Sequence, residues 1–304
     1  MKERIPVIID TDLGDDIDDA FALCLAMQSP ELEIMGVTTV HRCAAYRAKM
    51  AKSLLNAGGF CEVPVYAGES KPLVRESVHG RPLDYGEKPH SYAEEYDATE
   101  YDGDDAVSFI VDTLEKSDRK ITLVTLGALT NIALVLQKRP DLFGKIEKLC
   151  IMGGAFSMNL GEYNFSCDPD AAAIVMDSGL PILCVGVDIT FQCKLSGELL
   201  NEVQTHPHPC LQMLNRMRKK WGTDVYLHDP LALTCAFDES FVTFRPMVCA
   251  VEREAKFANG YVVNLSDFNW RHDVSSSKLL VGTGVDADAF TREYVRRVTR
   301  FPKT

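Results

Sequence analysis

Apolar runs alternate with amphipathic stretches along most of the chain. Ile5–Ile9 is a continuous apolar run of strand length, and Ala20, Phe21, Cys24 and Leu25 after it share one helical face. Leu32–Val40 returns to strand character, and Ala44–Ala57 reads as a helix stopped by Gly58 and Gly59. A short strand is expected around Val63–Ala67, a helix over about 104–117, a strand over Ile121–Leu126 and a helix from Asn131. A strand over Lys148–Met152, a helix near Pro169–Ser178 and a strand over Pro181–Val187 complete the regular part. Strands alternating with helices in this way predict an α/β fold, an open, mostly parallel central sheet flanked by helices with a Rossmann-like core. The C-terminal third is less regular, up to a final helix near Ala287–Arg300. No internal repeat, low-complexity tract or linker divides the chain, so residues 1–304 read as one domain.

Residues 74–103 interrupt the alternation. The stretch is rich in Tyr, Glu, His, Gly and Pro, and loops of this size in compact domains commonly serve as lids or binding loops. Composition narrows the partners. Of 304 residues, 46% are hydrophobic and 25% charged, enough apolar material for a large core. A net charge of −12, a sequence pI near 5.1 and the lack of a basic stripe argue against nucleic acid, which needs clustered Lys and Arg against phosphates. The ten cysteines form no CxxC pair, and several, such as Cys24, Cys150 and Cys184, sit in apolar runs where a free thiol acts as a small hydrophobe. The chain enters an apolar strand at once and has no apolar run of membrane-spanning length. A cytoplasmic protein with no membrane partner is therefore expected.

The strongest chemical signal directly follows the first strand. Asp10, Asp12, Asp15, Asp16, Asp18 and Asp19 put six carboxylates within ten residues, at the edge where open α/β sheets bind ligands. Acids packed so closely repel, so those facing inward need either a cation or raised pKa values. All-oxygen ligation selects a hard ion, Ca2+ or Mg2+. Gly14 allows a sharp turn out of the strand, after which Asp18 and Asp19 fall in the first turn of a helix, where negative charge is favoured. A solvated acidic loop that merely caps a helix is the plain alternative. Two other patterns fail on spacing. An EF-hand loop begun at Asp10 has Asp15 where Gly is required and Phe21 where Glu is required. A haloacid-dehalogenase-type phosphatase has Gly14 where Thr or Val belongs.

The motif Asp10-Thr-Asp-Leu-Gly-Asp-Asp-Ile-Asp-Asp19 is followed by Thr38-Thr-Val40, Pro64-Val-Tyr-Ala-Gly68, Ile121-Thr-Leu-Val124 and Gly127-Ala-Leu-Thr-Asn131. Then come Met152-Gly-Gly154, Glu162-Tyr-Asn164, Asp168-Pro169, Gly186-Val-Asp-Ile-Thr190 and His228-Asp-Pro-Leu-Ala232. In this order, over about residues 5–232, the blocks resemble the inosine-uridine preferring nucleoside hydrolases, a family of calcium-dependent nucleoside N-ribohydrolases. The rest of the chain matches weakly. The resemblance implies the nucleoside hydrolase fold and hydrolysis of the N-glycosidic bond of a ribonucleoside, or a close N-ribosyl compound, to free base and ribose. It implies Ca2+ held by Asp12, Asp19, Asp229 and the backbone carbonyl of Leu126. Asp18 is then the base that activates a water on the metal, and His228 the acid for the departing base. Asp10 would orient the metal or the ribose hydroxyls, Asn159, Glu162 and Asn164 would bind ribose, and Met152 would pack on the sugar. The chemistry suits these residue types. Cleavage builds positive charge on the ribose, which carboxylates stabilise, and a cation lowers the pKa of its water. Taken singly, His228 reads as a structural histidine, and Asn159, Glu162 and Asn164 as loop and capping residues. Dimers or tetramers are common in the family, so the resemblance also implies a homo-oligomer with a small-molecule nucleoside substrate. With no Rossmann dinucleotide fingerprint in the sequence, no organic cofactor is expected.

Two departures stand out. The usual motif has one residue between Gly and the Asp pair, whereas Asp15, Asp16 and Ile17 intervene here. Asp18 and Asp19 align with the pair because Ala20-Phe-Ala-Leu23 continues in helical phase, and Asp16 remains a rival for the base or a ligand role. After Thr-Thr-Val the family carries Gly-Asn, but His41-Arg42-Cys43 stands here. The change removes a sugar hydrogen bond of order 1 kcal/mol and adds a cation. Arg42 either faces solvent or recognises an anionic group such as a 5′-phosphate. In the long loop His79 is a candidate lid contact. Trp221 and Tyr226 precede the His-Asp-Pro block, where they would stack on a base or, for Trp221, fill the core. Two other functions stay open: a metal-dependent phosphohydrolase of a small molecule, and a non-catalytic nucleoside-binding member of the family.

Overall fold

The computed structural model describes residues 3–74, 77–78, 81–82, 88–222, 224–266 and 273–303. Strand β1 (Ile5–Thr11), helix α1 (Asp18–Met27), β2 (Leu32–Thr39), α2 (Ala44–Ala57) and β3 (Val65–Ala67) open the chain. A two-stranded ribbon, β4 (Ser77–Val78) with β5 (Arg81–Pro82), precedes α3 (Ala106–Lys116). Then follow β6 (Ile121–Thr125), α4 (Thr130–Lys138), β7 (Ile146–Met152), α5 (Tyr163–Cys167), α6 (Pro169–Met176), β8 (Ile182–Val185) and α7 (Val187–Thr190). The remainder holds α8 (Gly197–Thr205), α9 (Pro209–Trp221), α10 (His228–Thr234), β9 (Val242–Pro246), β10 (Cys249–Val251), β11 (Val262–Asn264), β12 (Leu279–Val285) and α11 (Ala287–Val298).

Eight strands form one sheet in the order β3-β2-β1-β6-β7-β8-β12-β9, parallel except for β9 at the edge. Strands β6 and β8 are buried throughout and read as unbroken apolar runs because helices cover both faces. One core lies under α1, α2, α9, α10 and α11, the other under α3, α4 and α6. Every residue of α1 is buried, not one face only, because α2, α9, α10 and α11 all pack around it. The C-terminal third is also more regular than its pattern suggests. β12 enters the main sheet parallel to β8, and α9 buries Cys210, Leu211, Leu214 and Met217 at helical spacing. Two glycines, Gly282 and Gly284, dilute the strand signal of β12.

Strand order reverses between β1 and β6, the topological switch point at which such sheets open a crevice beyond their carboxyl ends. Asp10 pairs with Thr125 there, and the Leu126 N–H donates to the Asp10 carbonyl at 2.7 Å. Asp12 and Leu126 therefore leave the sheet side by side. Gly127 permits the approach, since a Cβ there would lie 2.9 Å from Cβ of Asp12. Gly14 turns the chain away with φ +117°, and a Cβ there would stand 2.5 Å from Pro89. The second half of the long loop is anchored at this turn. Ser91 N–H donates to the Gly14 carbonyl at 3.0 Å, and Tyr92 and Tyr96 are buried beside α2. Among the described residues no helix is long and apolar enough to cross a membrane.

Candidate active site

The crevice is a cavity of about 460 Å³. Its floor is acidic. Asp12 comes from the β1 end, Asp18 and Asp19 from the first turn of α1, and Asp229 from the first turn of α10, which packs against α1. Two helix N-termini thus point partial positive charge at one spot. Carboxylate oxygens of Asp18, Asp19 and Asp229 lie within 4.8 Å of one another, and all three residues are buried. Two oxygens held by one Ca2+ at about 2.3–2.6 Å are at most about 5 Å apart, so the spacing fits a single hard cation. Burial pushes Asp12, Asp18 and Asp229 well above the usual carboxylate range, with mutual repulsion adding to it. Asp19 rises to about 7 by burial, although hydrogen bonding from the Thr11 hydroxyl opposes the rise. The Leu126 carbonyl also lines the cavity and accepts from the Asn164 amide at 2.7 Å, which leaves its second lone pair available.

Arg47, fully buried on α2, ties the acidic turn to the turn before α2. Its guanidinium donates to the carbonyls of Asp12, of Leu13 (3.1 Å) and of His41 (3.0 Å), and to the carboxylate of Asp15 (2.7 Å). Asp15 stays below the usual range because Arg47 outweighs its burial. The pair accounts for the longer spacing of the aspartate motif: the inserted Asp15 is the counter-ion of Arg47. The turn that Arg47 grips is strained, with His41 at φ 70° and Arg42 at φ 51°, both non-glycine residues in the left-handed region. Their N–H groups donate to Glu69 and Ser70 carbonyls, each at 2.7 Å. Arg42 is thereby turned onto the cavity wall, 3.6 Å from Asp15, rather than out to solvent.

The opposite wall is apolar and aromatic. Val187, Phe191, Trp221 and His228 line it, and His90 from the long loop stacks on Trp221 with ring centroids 5.8 Å apart. His228 is packed edge-on against Phe191 (5.1 Å) and face-on against Tyr226 (5.6 Å). Burial pulls its pKa down to about 4. Between the walls sit Met152, Glu162 and Asn164. Glu162 caps α5, taking N–H donors from Gly154, Asn164 and Phe165, and Asn164 also contacts Met152.

Most residues singled out in the sequence meet in this cavity: Asp12, Asp16, Asp18, Asp19, Arg42, Leu126, Met152, Glu162, Asn164, Trp221, His228 and Asp229. Asp16 is exposed at its rim, whereas Asp18 is buried among the acids. Three positions differ from the expectation. Asp10 lies behind the wall, its one carboxylate oxygen held by Thr38 (2.5 Å) and Asn131 (2.8 Å) and the other buried without a partner. Burial lifts it to about 7. Asn159 is exposed on the loop after β7, off the lining, although Leu160 and Gly161 next to it line the cavity. Tyr226 supports His228 from behind instead of facing the cavity. His79 lies outside the described residues. Sequence reasoning missed Arg47, His90 and Phe191. An arginine inside the apolar face of α2 was a usable signal for the first, and adjacency to the Gly186–Thr190 block for the last.

The model of the inosine-uridine preferring nucleoside hydrolase family matches residues 7–292. The pyrimidine-specific ribonucleoside hydrolase RihA of Salmonella agona (strain SL483) is 31% identical, with 85% of this chain and 88% of that protein covered. Uridine nucleosidase 1 of Arabidopsis thaliana is 32% identical, with 95% and 91% covered. The structure of a purine-preferring ribonucleoside hydrolase from Gardnerella vaginalis superposes with a TM-score of 0.80 at 27% identity, covering 97% of this chain and 98% of that one.

Removing Arg47 leaves Asp15 and three carbonyls without their donor. Arg47→Met should cost about 3 kcal/mol or more in urea denaturation, and Asp15→Asn less, because an Asn amide oxygen still accepts from Arg47, which keeps its three carbonyls. A loss below about 1 kcal/mol for Arg47→Met would remove the clamp. The carboxylates supply a pH test. Asp10 and Asp19 titrate near 7 in the fold, above the ordinary 3.8, so the cation-free fold gains stability as pH falls through about 7 and is penalised above it. A bound dication removes that penalty. The rise in Tm on adding Ca2+ to chelator-treated protein should be larger at about pH 8 than at about pH 5.5 by calorimetry; a pH-independent rise contradicts the site.

Proposed function

The chain belongs to the inosine-uridine preferring nucleoside hydrolase family, metal-dependent enzymes that split ribonucleosides into base and ribose, and we propose that the acidic crevice performs this reaction with Ca2+ as the ion. The observation that carries the reading is the convergence of Asp18, Asp19 and Asp229 from two helix N-termini beside Asp12 and the Leu126 carbonyl. Asp12, Asp19, Asp229 and Leu126 hold the cation. An all-oxygen donor set favours Ca2+ or Mg2+, and a site that adds a backbone carbonyl to carboxylates suits the higher oxygen coordination and looser geometry of Ca2+. When bound, the ion acidifies a water and fixes ribose hydroxyls.

Asp18, buried on the cavity floor in the first turn of α1, takes the proton of the attacking water. The surrounding carboxylates stabilise positive charge as it develops on the ribose. Glu162 and Asn164 hold the sugar from the wall next to Met152. His228 donates to the departing base, and Trp221, Phe191 and His90 form its apolar enclosure. The relatives are named for pyrimidines, uridine and purines, so the family alone does not choose the base. We place the protein in the cytoplasm, a reading supported by ten free cysteines, of which only Cys61 is exposed.

Uridine, cytidine and inosine, assayed for reducing sugar with Ca2+ and with chelator, should show metal-dependent release of ribose. Asp18→Asn should lower kcat by about a hundredfold or more. Inertness towards every nucleoside in the loaded protein would sink the assignment, and release of phosphate from phosphorylated substrates in its place would select a phosphohydrolase. Arg42 on the wall favours one added substrate, uridine 5′-monophosphate. Cleavage faster than that of uridine, lost on Arg42→Ala, assigns Arg42 to the phosphate; indifference to the change returns it to Asp15.

A further inference from the structure

The hydroxyl of Thr190, the last residue of α7, lies 2.6 Å from Nδ1 of His228, and both residues are buried. No other hydrogen bond to either ring nitrogen of His228 occurs among the described residues. The rest of the setting holds the ring plane without choosing its proton. Phe191 stands edge-on and Tyr226 lies face-on, with the Lys194 ammonium 5.4 Å from the Tyr226 ring centroid and paired to Asp224 at 2.8 Å. The backbone of Thr190 is fixed in turn, its N–H donating to the Gly186 carbonyl at 3.2 Å.

A neutral imidazole carries its one proton on either nitrogen, and the partner of the first decides the state of the second. If Nδ1–H donated to Thr190, Nε2 would be a bare acceptor with nothing to give. If the hydroxyl donates to Nδ1, the proton stays on Nε2. We infer that Thr190 is a positioning residue whose hydroxyl donates to Nδ1 of His228 and so keeps an Nε2–H that donates a hydrogen bond to the departing base. The ring keeps its proton, and the base leaves as a hydrogen-bonded anion that takes its proton from solvent. The inference rests on the reading of His228 as the donor to the departing base.

Thr190→Val keeps the volume and deletes the donor; Thr190→Ser keeps the donor. The two substrates to compare are uridine and 4-nitrophenyl β-D-ribofuranoside, whose aryl oxide leaves as a stable anion and needs no proton. Thr190→Val should lower kcat on uridine about tenfold or more, the worth of one well-placed hydrogen bond, and change the aryl riboside by less than about twofold. Thr190→Ser should stay within about threefold of the parent on both. His228→Ala sets the reference, with the same selective loss on uridine. Nitrogen-15 shifts of the His228 ring should report Nε2–H in the parent and a changed tautomer in the valine variant. Equal losses on both substrates, an unchanged tautomer, or a valine variant as fast as the parent on uridine would overturn the role of Thr190. A His228→Ala variant that loses both substrates alike would instead remove that reading of His228, and the inference with it.

Discussion

Like charges confined in a dry crevice set the terms for everything around them. Asp12, Asp18, Asp19 and Asp229 are buried together, and each carries more proton affinity than a solvated carboxylate would. The fold answers part of that repulsion. The first turns of α1 and α10 aim their N–H groups inward, and Thr11 donates to Asp19. Arg47 brings a single positive charge, but Asp15 and three carbonyls already share its donors. What the polypeptide leaves uncompensated is negative charge, the sign that a bound cation answers. The metal dependence of the family therefore follows from charge bookkeeping in this chain as well as from kinship.

The two walls divide the labour. Acids and a backbone carbonyl line one side of the cavity, and nearly uncharged aromatic groups line the other. Relatives of this chain bear names for different bases. We propose that selectivity lies with Phe191, Trp221 and His90, of which only Trp221 was visible in advance.

The regular α/β half and the acidic floor were legible because their signals are local. Buried parallel strands read as apolar runs, and Asp12, Asp18 and Asp19 follow one of them directly. Asp229 was found through its His-Asp-Pro block. The parts that escaped depend on contacts distant in sequence. β12 belongs to the main sheet only through β8 and β9, and its two glycines hide it. Asp10 looked like another site acid, yet Thr38 and Asn131, from β2 and α4, draw it behind the wall. The longer spacing read only as a departure from the usual motif, because the partner of Asp15, Arg47, lies more than thirty positions away. His90 was passed over for His79 because nothing within the loop marks Ser91 as its anchor.

That anchor hangs the rim of the cavity from its base. Ser91 grips the carbonyl of Gly14, in the same turn that carries the acids, so the roof and the foundation share one fastening. One residue along, the imidazole of His90 covers Trp221. The acidic floor and the aromatic rim are in this way parts of one fixed piece of backbone.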